Sequence, residues 1–240
     1  MNRESKGFTI IELLLAMTFI AVLLLTVALT VIQIGNIYNK GLTLRMVDQS
    51  ARTITADMRR TIGQSQPFAT ATNFVQMKDG DDVVGGRLCT GKYTYVWNYG
   101  ISIKSNSQVN VYSPDDNPND EKIGFARIND KNGKYCLQEN RGTAISRANA
   151  TELLSVKGGG DLTIAIHGLD IERTSVNLST SQALYRIQMV IGTNDQDAIT
   201  ILVDSVDGAC KPPSDALSQQ DYCAVNKFDF TVLAGGGGGS

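Results

Sequence analysis

Hydrophobic and polar residues change their spacing twice along this 240-residue chain. After a short polar segment the chain is almost entirely apolar, with no charged side chain from Leu13 to Ile34. From Val47 to Ile62 apolar residues recur at steps of four and three, which is typical of a helix with one buried face. Pro67 predicts the end of this helix, because the residue before proline disfavours helical backbone angles. We therefore expect one helix with an apolar half, residues 8–34, and an amphipathic half, residues 35–66.

The apolar half is long enough to cross a membrane. As a helix, residues 8–34 would extend roughly 40 Å at about 1.5 Å per residue, against roughly 30 Å of bilayer hydrocarbon. A secretory signal peptide has a shorter apolar core of about 7–15 residues, followed by a cleavage site of small residues. The sequence therefore predicts a membrane-spanning segment that stays on the protein. Gly35 and Gly41 follow it, and the sequence leaves open whether they bend the helix or are simply tolerated in it.

After Pro67 the pattern favours short strands, which predicts a head at residues 67–234. The predicted strands are 93–103, 109–112, 123–128, 134–138, 162–173, 183–192, 198–204 and 228–233. The dipeptide Asn132-Gly133 predicts a tight hairpin between the third and the fourth. Residues 151–155 are interpreted as a short helix, Gly85-Gly86 as a loop and the Gly-rich tail 235–240 as disordered. A helix followed by strands indicates an α+β fold, a long helix packed on a mainly antiparallel β-sheet head.

One acidic residue, Glu12, lies near the start of the apolar half. An acidic side chain at the centre of a membrane helix costs roughly 2.5–3.5 kcal/mol on insertion scales, so such residues usually have a function and a partner. The plain alternative is that Glu12 only occupies the first helical turn, where the helix dipole favours an acid by a few tenths of a kcal/mol.

The segment Gly7-Phe8-Thr9-Ile10-Ile11-Glu12-Leu13 resembles the processing motif of type IV prepilins and pseudopilins. That motif combines a short basic leader, glycine, phenylalanine, a long apolar helix and glutamate at the fifth mature position. In the family a membrane prepilin peptidase cuts after the glycine and usually methylates the new N-terminus. The resemblance therefore implies removal of leader residues 1–7, methylation of Phe8 and a role for Glu12 in subunit assembly.

Physical chemistry supports such a role for Glu12. Cleavage creates a cationic amine at Phe8, and two opposite charges buried together cost less than either charge alone. The amine of one subunit can therefore pair with Glu12 of a neighbour, and a buried polar contact of this kind fixes the register of packed helices.

The resemblance implies a structural subunit of a type IV pilus or pseudopilus rather than an enzyme. The head is larger than in many abundant pilins, which favours a minor pilin. The implied partners are the prepilin peptidase, other pilin subunits, the pilus assembly machinery and the membrane. Adhesion, motility, DNA uptake and secretion all use subunits of this kind. The alternative from the residues is an uncleaved single-pass membrane protein whose extracytoplasmic head binds a ligand or partner.

The charges of the leader predict orientation. Arg3 and Lys6 oppose only Glu4, so the N-terminus is expected in the cytoplasm and the head outside. The precursor then belongs in the cytoplasmic membrane and the mature protein in an extracellular filament. The net charge is −2, and 20 basic and 23 acidic residues remain after loss of the leader. This balance argues against nucleic acid as a partner.

The cysteines agree with an oxidising location outside the cytoplasm, where an even number permits disulfides. The four are Cys89, Cys136, Cys210 and Cys223. Three connectivities are open, and we favour the short loop from Cys210 to Cys223, which leaves Cys89 to pair with Cys136. A zinc site is disfavoured because no CxxC spacing exists and the one histidine, His167, is distant in sequence.

Other candidate chemistry is weak, and we expect no catalytic residue, metal or cofactor. Residues 115–121 are rich in oxygen ligands, but Asp120 and Ala126 replace the glycine and the acid that a calcium loop requires at its sixth and twelfth positions. Nucleophile and metalloprotease motifs are absent, and His167 is interpreted as structural. Trp97 alternates with Tyr93, Tyr95 and Tyr99, which favours packing on a sheet face over an exposed adhesive surface.

Overall fold

The long N-terminal helix, α1, runs without interruption from Ile10 to Gly63 in the computed structural model of the chain. The residues described are 7, 9–100, 123–140, 143, 145, 149–154, 164–177, 181–194, 199–201, 208–211 and 223–235. Gly35 and Gly41 lie inside the helix with open space around them, so they are tolerated without a break. The helix ends at Gly63, three residues earlier than predicted, and the N–H of its C-cap residue Gln64 donates to the carbonyl of Arg60.

The head contains two antiparallel sheets. A four-residue helix, α2 (Thr70–Asn73), leads into a five-stranded sheet in the order β1-β2-β3-β4-β5. Its strands are β1 (Phe74–Asp79), β2 (Asp82–Cys89), β3 (Tyr93–Asn98), β4 (Phe125–Asn129) and β5 (Ala150–Glu152). The remaining strands are β6 (Ile164–Asn177), β7 (Gln182–Thr193), β8 (Ile199–Ile201), β9 (Gly208–Cys210) and β10 (Val225–Ala234). Of these, β10, β7 and β6 form a three-stranded sheet in that order, and β8 pairs with β9.

The second half of α1 closes one core against both sheets. The five apolar residues that the sequence pattern predicted on its inner face are all buried: Val47, Ala51, Ile54, Met58 and Ile62. Thr43 and Thr61 are buried as well. The five apolar residues pack in one cluster with Tyr95 and Trp97 of β3, Phe125 of β4, and Tyr185 and Phe230 of the other sheet. The architecture is therefore α+β, as expected, and the helix is the element that covers both sheets.

The predicted hairpin at Asn132-Gly133 is wrong. Gly133 does have positive φ, at 62°, but the chain after it forms two 3₁₀ turns, Lys134–Cys136 and Gln138–Asn140, instead of a strand. The buried carboxylate of Asp130 accepts the backbone N–H groups of Lys134 and Tyr135, each at 3.1 Å. These bonds direct the chain away from the ladder, and a tertiary contact overrides the local turn preference.

The N-terminal part of the five-stranded sheet was missed. Strands β1 and β2 had no counterpart among the predicted strands, and Gly85 and Gly86, interpreted as a loop, lie inside β2. The reason for Gly86 is steric, since a Cβ there would lie 2.2 Å from Cζ2 of the Trp97 indole. Residues 151–154 form the end of β5 and a bend, rather than a helix. Parts of other predicted strands, such as 101–103, 109–112 and 202–204, lie outside the described residues.

Candidate functional site

The predicted processing and assembly segment lies at the exposed start of α1. Gly7 is exposed, with nothing within 4 Å of its Cβ position, while Phe8 lies outside the described residues. Thr9 has extended backbone angles, φ −76° and ψ 149°, and is the N-cap of the helix. The helix thus begins at Ile10, the third residue after the predicted cleavage point.

Glu12 and Thr9 form a capping box at this start. The Thr9 N–H and hydroxyl donate to Oε2 of Glu12, at 3.0 and 2.9 Å, and the Glu12 N–H donates to the Thr9 hydroxyl at 3.3 Å. Such an arrangement satisfies backbone donors that a helix N-terminus otherwise leaves without partners. Both bonds to the carboxylate use Oε2, so within the described part of the chain Oε1 has no hydrogen-bond partner. The carboxylate can therefore cap its own helix and still receive a cation from outside.

The apolar half of α1 presents a surface suited to lipid or to other helices. Residues 10–34 are exposed throughout, and α1 is the one helix among the described residues long and apolar enough to cross a membrane. The hydroxyls of Thr18, Thr26 and Thr30 donate to carbonyls of the helix itself at 2.8–2.9 Å. Because each hydroxyl is satisfied internally, these threonines carry no unpaired donor into an apolar surrounding. This arrangement is compatible with membrane anchoring.

A partly buried charge cluster fixes α1 on the five-stranded sheet. Asp57 of the helix forms an ion pair with Arg127 of β4, accepts the hydroxyl of Tyr95 at 2.9 Å and pairs with Arg60 at 2.9 Å. Burial raises the pKa of the Tyr95 hydroxyl well above its usual range, so the phenol remains a donor to Asp57. The guanidinium of Arg127 also lies 4.8 Å from the centre of the Tyr93 ring.

Contacts on the opposite side of α1 hold the three-stranded sheet. The side-chain amide of Asn226 donates to Asp48 at 2.9 Å, and the guanidinium of Arg59 lies 5.4 Å from the centre of the Phe230 ring. Both partners belong to β10, so the helix is attached by polar contacts along both of its flanks. The sequence pattern identified the apolar face of this helix. It did not identify these polar contacts, because their partners lie far from the helix along the chain.

The cysteines pair as we favoured, which confirms that prediction. One disulfide joins Cys89 at the end of β2 to Cys136 in the first 3₁₀ turn, and the other joins Cys210 in β9 to Cys223 just before β10. Neither connects α1 to the head. The disulfides therefore fix segments within the head, whereas noncovalent packing alone holds the helix.

Several residues that the sequence singled out as candidates for chemistry or adhesion are buried inside the head. Tyr95 and Trp97 are fully buried and Tyr99 nearly so, which excludes an exposed aromatic surface formed by these three side chains. His167 is buried, with Nε2 3.0 Å from the carbonyl of Thr193. Arg87, which sequence reasoning missed, is fully buried and donates to two carbonyls of the 3₁₀ region.

Among the described residues no group of three or more His, Cys, Asp or Glu side chains is placed to hold a metal ion. The oxygen-rich segment 115–121 lies outside these residues, so the structure does not bear on it. Comparisons of the chain with models of protein families, with curated proteins and with solved structures found no match.

Proposed function

We propose that the chain is a structural subunit of a helical filament of the type IV pilus or pseudopilus kind, most suitably a minor subunit. It is made as a single-pass precursor with its N-terminus in the cytoplasm. A prepilin peptidase removes residues 1–7 and methylates the amine of Phe8. The assembly machinery then moves the subunit from the cytoplasmic membrane into the extracellular filament.

The arrangement around Glu12 carries this proposal. The carboxylate lies in the first turn of a 54-residue helix whose apolar half, residues 10–34, is exposed throughout, and one of its oxygens is free within the described residues. A neighbour's amine placed beside Oε1 neutralises a charge that is otherwise costly in an apolar filament core. The capping box holds the carboxylate in position for that contact, because Thr9 already fixes Oε2.

The first test is the N-terminus of the protein in its assembled form. Mass analysis of filaments is expected to find a chain that begins at Phe8 and carries one added methyl group. The same protein from a strain without its prepilin peptidase should retain Met1 and remain in the membrane. An assembled protein with Met1 intact would refute the proposal and favour an uncleaved single-pass membrane protein with a binding head.

The second test separates the charge of Glu12 from its role as a cap. Glu12→Gln keeps an oxygen that can accept from Thr9 but removes the charge, and we expect the variant to be inserted and cleaved but largely absent from filaments. Thr9→Val is the matched control, since it removes the capping hydroxyl and keeps the charge. That loss costs about 1 kcal/mol at the helix start, so we expect assembly to continue. If the two variants enter filaments equally well, the charge of Glu12 is not needed for assembly and the proposed charge pairing is wrong.

A further inference from the structure

A cleft of about 750 Å³, whose lining includes several exposed polar side chains, lies at the end of α1. It is bounded on one side by the chain that leaves the helix, residues 64–69, and on the other by the turn between β2 and β3 and by Lys131. Ligand-binding clefts commonly have volumes of roughly 300–1,000 Å³, so this one is large enough for an oligosaccharide. We refer to it as the distal cleft.

The rigid walls of the distal cleft are already hydrogen-bonded to the protein. The Thr90 hydroxyl donates to the carbonyl of Tyr93, and the Asn73 amide donates to the carbonyl of Cys89, each at 2.9 Å. Cys89 is in turn held by its disulfide to Cys136. The shape of the cleft is therefore fixed by bonds that a ligand does not need to break.

The polar groups that face solvent in the distal cleft are two amides and two ammonium groups. Gln64, Gln66, Lys92 and Lys131 are all exposed, and within the described part of the chain none of their side chains makes a hydrogen bond or an ion pair. Lys92 has only the face of the neighbouring Tyr93 ring, 5.5 Å from its Nζ. These four groups are thus available to a ligand.

The accessible charge of the distal cleft is positive, although the chain as a whole has a net charge of −2. No acidic residue lines it. Asp130 is adjacent to Lys131 in sequence but is buried, and its carboxylate accepts the Thr94 hydroxyl as well as the two N–H groups of the 3₁₀ turn. The described surroundings therefore present no exposed carboxylate to repel an anion.

The distal cleft also has a defined place relative to the membrane. Residues 34 to 63 of the uninterrupted helix advance about 44 Å at about 1.5 Å per residue, and the cleft begins where the helix ends. It therefore lies at the opposite end of α1 from the apolar half, where a ligand outside the cell can reach it.

From these features we infer that the distal cleft binds an acidic oligosaccharide, with the two lysines at carboxylates and the glutamines at hydroxyl groups. The aromatic residue of the lining, Phe68, is buried and stacked on Tyr185 with ring centres 4.3 Å apart, so most of its ring is unavailable to a ligand. A single small anion would leave most of the volume empty. Uronic acid chains carry carboxylates and hydroxyls at intervals, which suits lysines and amides spread along an open cleft.

The test is calorimetric titration of the purified full-length protein in detergent micelles. Tetragalacturonate is expected to bind, whereas the neutral maltotetraose should not. The double variant Lys92→Gln, Lys131→Gln should bind tetragalacturonate about tenfold more weakly, because two charge pairs are lost at a partly exposed site. The control is Lys78→Gln, which removes one positive charge from β1 outside the lining of the cleft. It should leave the affinity for tetragalacturonate unchanged.

Three results would overturn the inference. These are no binding of tetragalacturonate at millimolar concentration, equal binding by inorganic phosphate, and undiminished binding by the double lysine variant. Equal binding by phosphate would identify a simple anion site. Trp97 fluorescence confirms that each variant is folded, since this indole is fully buried. Binding in micelles requires neither cleavage nor assembly, so its failure is distinct from failure of the proposed filament role.

Discussion

Replacement of Arg127 by methionine tests whether the buried ion pair holds α1 on the head. The side chains of Asp57 and Arg127 are only 10% and 18% exposed, so the substitution leaves a largely buried carboxylate without its main partner. Removal of one member of a buried pair costs about 3–5 kcal/mol. Asp57 keeps the Tyr95 hydroxyl and the Arg60 guanidinium, so we expect a smaller loss of about 2–3 kcal/mol in the free energy of unfolding.

The measurement is urea unfolding in mild detergent, followed by tryptophan fluorescence. Trp97 is the single tryptophan of the chain and is fully buried in the core under α1, so the signal reports the head and not the apolar half of α1. Arg60→Met is the matched control. Arg60 also pairs with Asp57, but its side chain is 65% exposed, so its loss should cost less than about 0.5 kcal/mol.

A double-mutant cycle with Asp57→Asn isolates the pair. We expect a coupling energy of about 2 kcal/mol between Asp57 and Arg127, because the substitutions remove the same contact. If the two losses add to within about 0.5 kcal/mol, or if Arg60→Met is as damaging as Arg127→Met, the reasoning from burial is wrong.

Three further changes have expected outcomes. Gly86→Ala places a methyl group 2.2 Å from a buried, rigid indole, so it should destabilise the head by about 3 kcal/mol in the same urea assay. The double variant Cys89→Ser, Cys136→Ser opens a loop with a sequence separation of 47, and the chain-entropy model predicts a loss of about 4 kcal/mol; unchanged unfolding would contradict it. Hydrogen bonds from Arg186 lower the pKa of Asp229 to about 2 from 3.8, so its stabilising contribution should be complete above pH 3.8 and disappear as the pH falls toward 2. Asp229→Asn should therefore reduce the fall in melting temperature between pH 3.8 and pH 2. An unchanged dependence of melting temperature on pH would show that Asp229 does not contribute to it.

The sequence predicted the features that depend on local pattern. The periodicity from Val47 to Ile62 identified the buried face of α1, and the alternation of Phe228, Phe230 and Val232 identified β10. The cysteine pairing was also predicted, because the shorter loop is the easier one to close.

The features that the sequence did not predict depend on contacts between distant residues. Strand β2 was missed because glycine lowers strand propensity, and the need for Gly86 becomes visible only when Trp97 is placed above it. In the charge cluster that fixes α1 on the five-stranded sheet, Arg127 lies 70 residues from Asp57, a separation that leaves no periodic signal. Glu12, by contrast, could be recognised from the sequence, because it is a charged residue whose neighbours along the chain are apolar.

The disulfides also determine what a protease can remove from the head. A cut anywhere between Cys89 and Cys136, or between Cys210 and Cys223, leaves two pieces that remain one covalent molecule. Together these loops enclose residues 90–135 and 211–222, more than a quarter of the head's chain. A nicked subunit would therefore migrate at full size on a nonreducing gel and separate into fragments only after a thiol is added. In the proposed extracellular filament, such a subunit would remain one covalent molecule after its backbone has been cut.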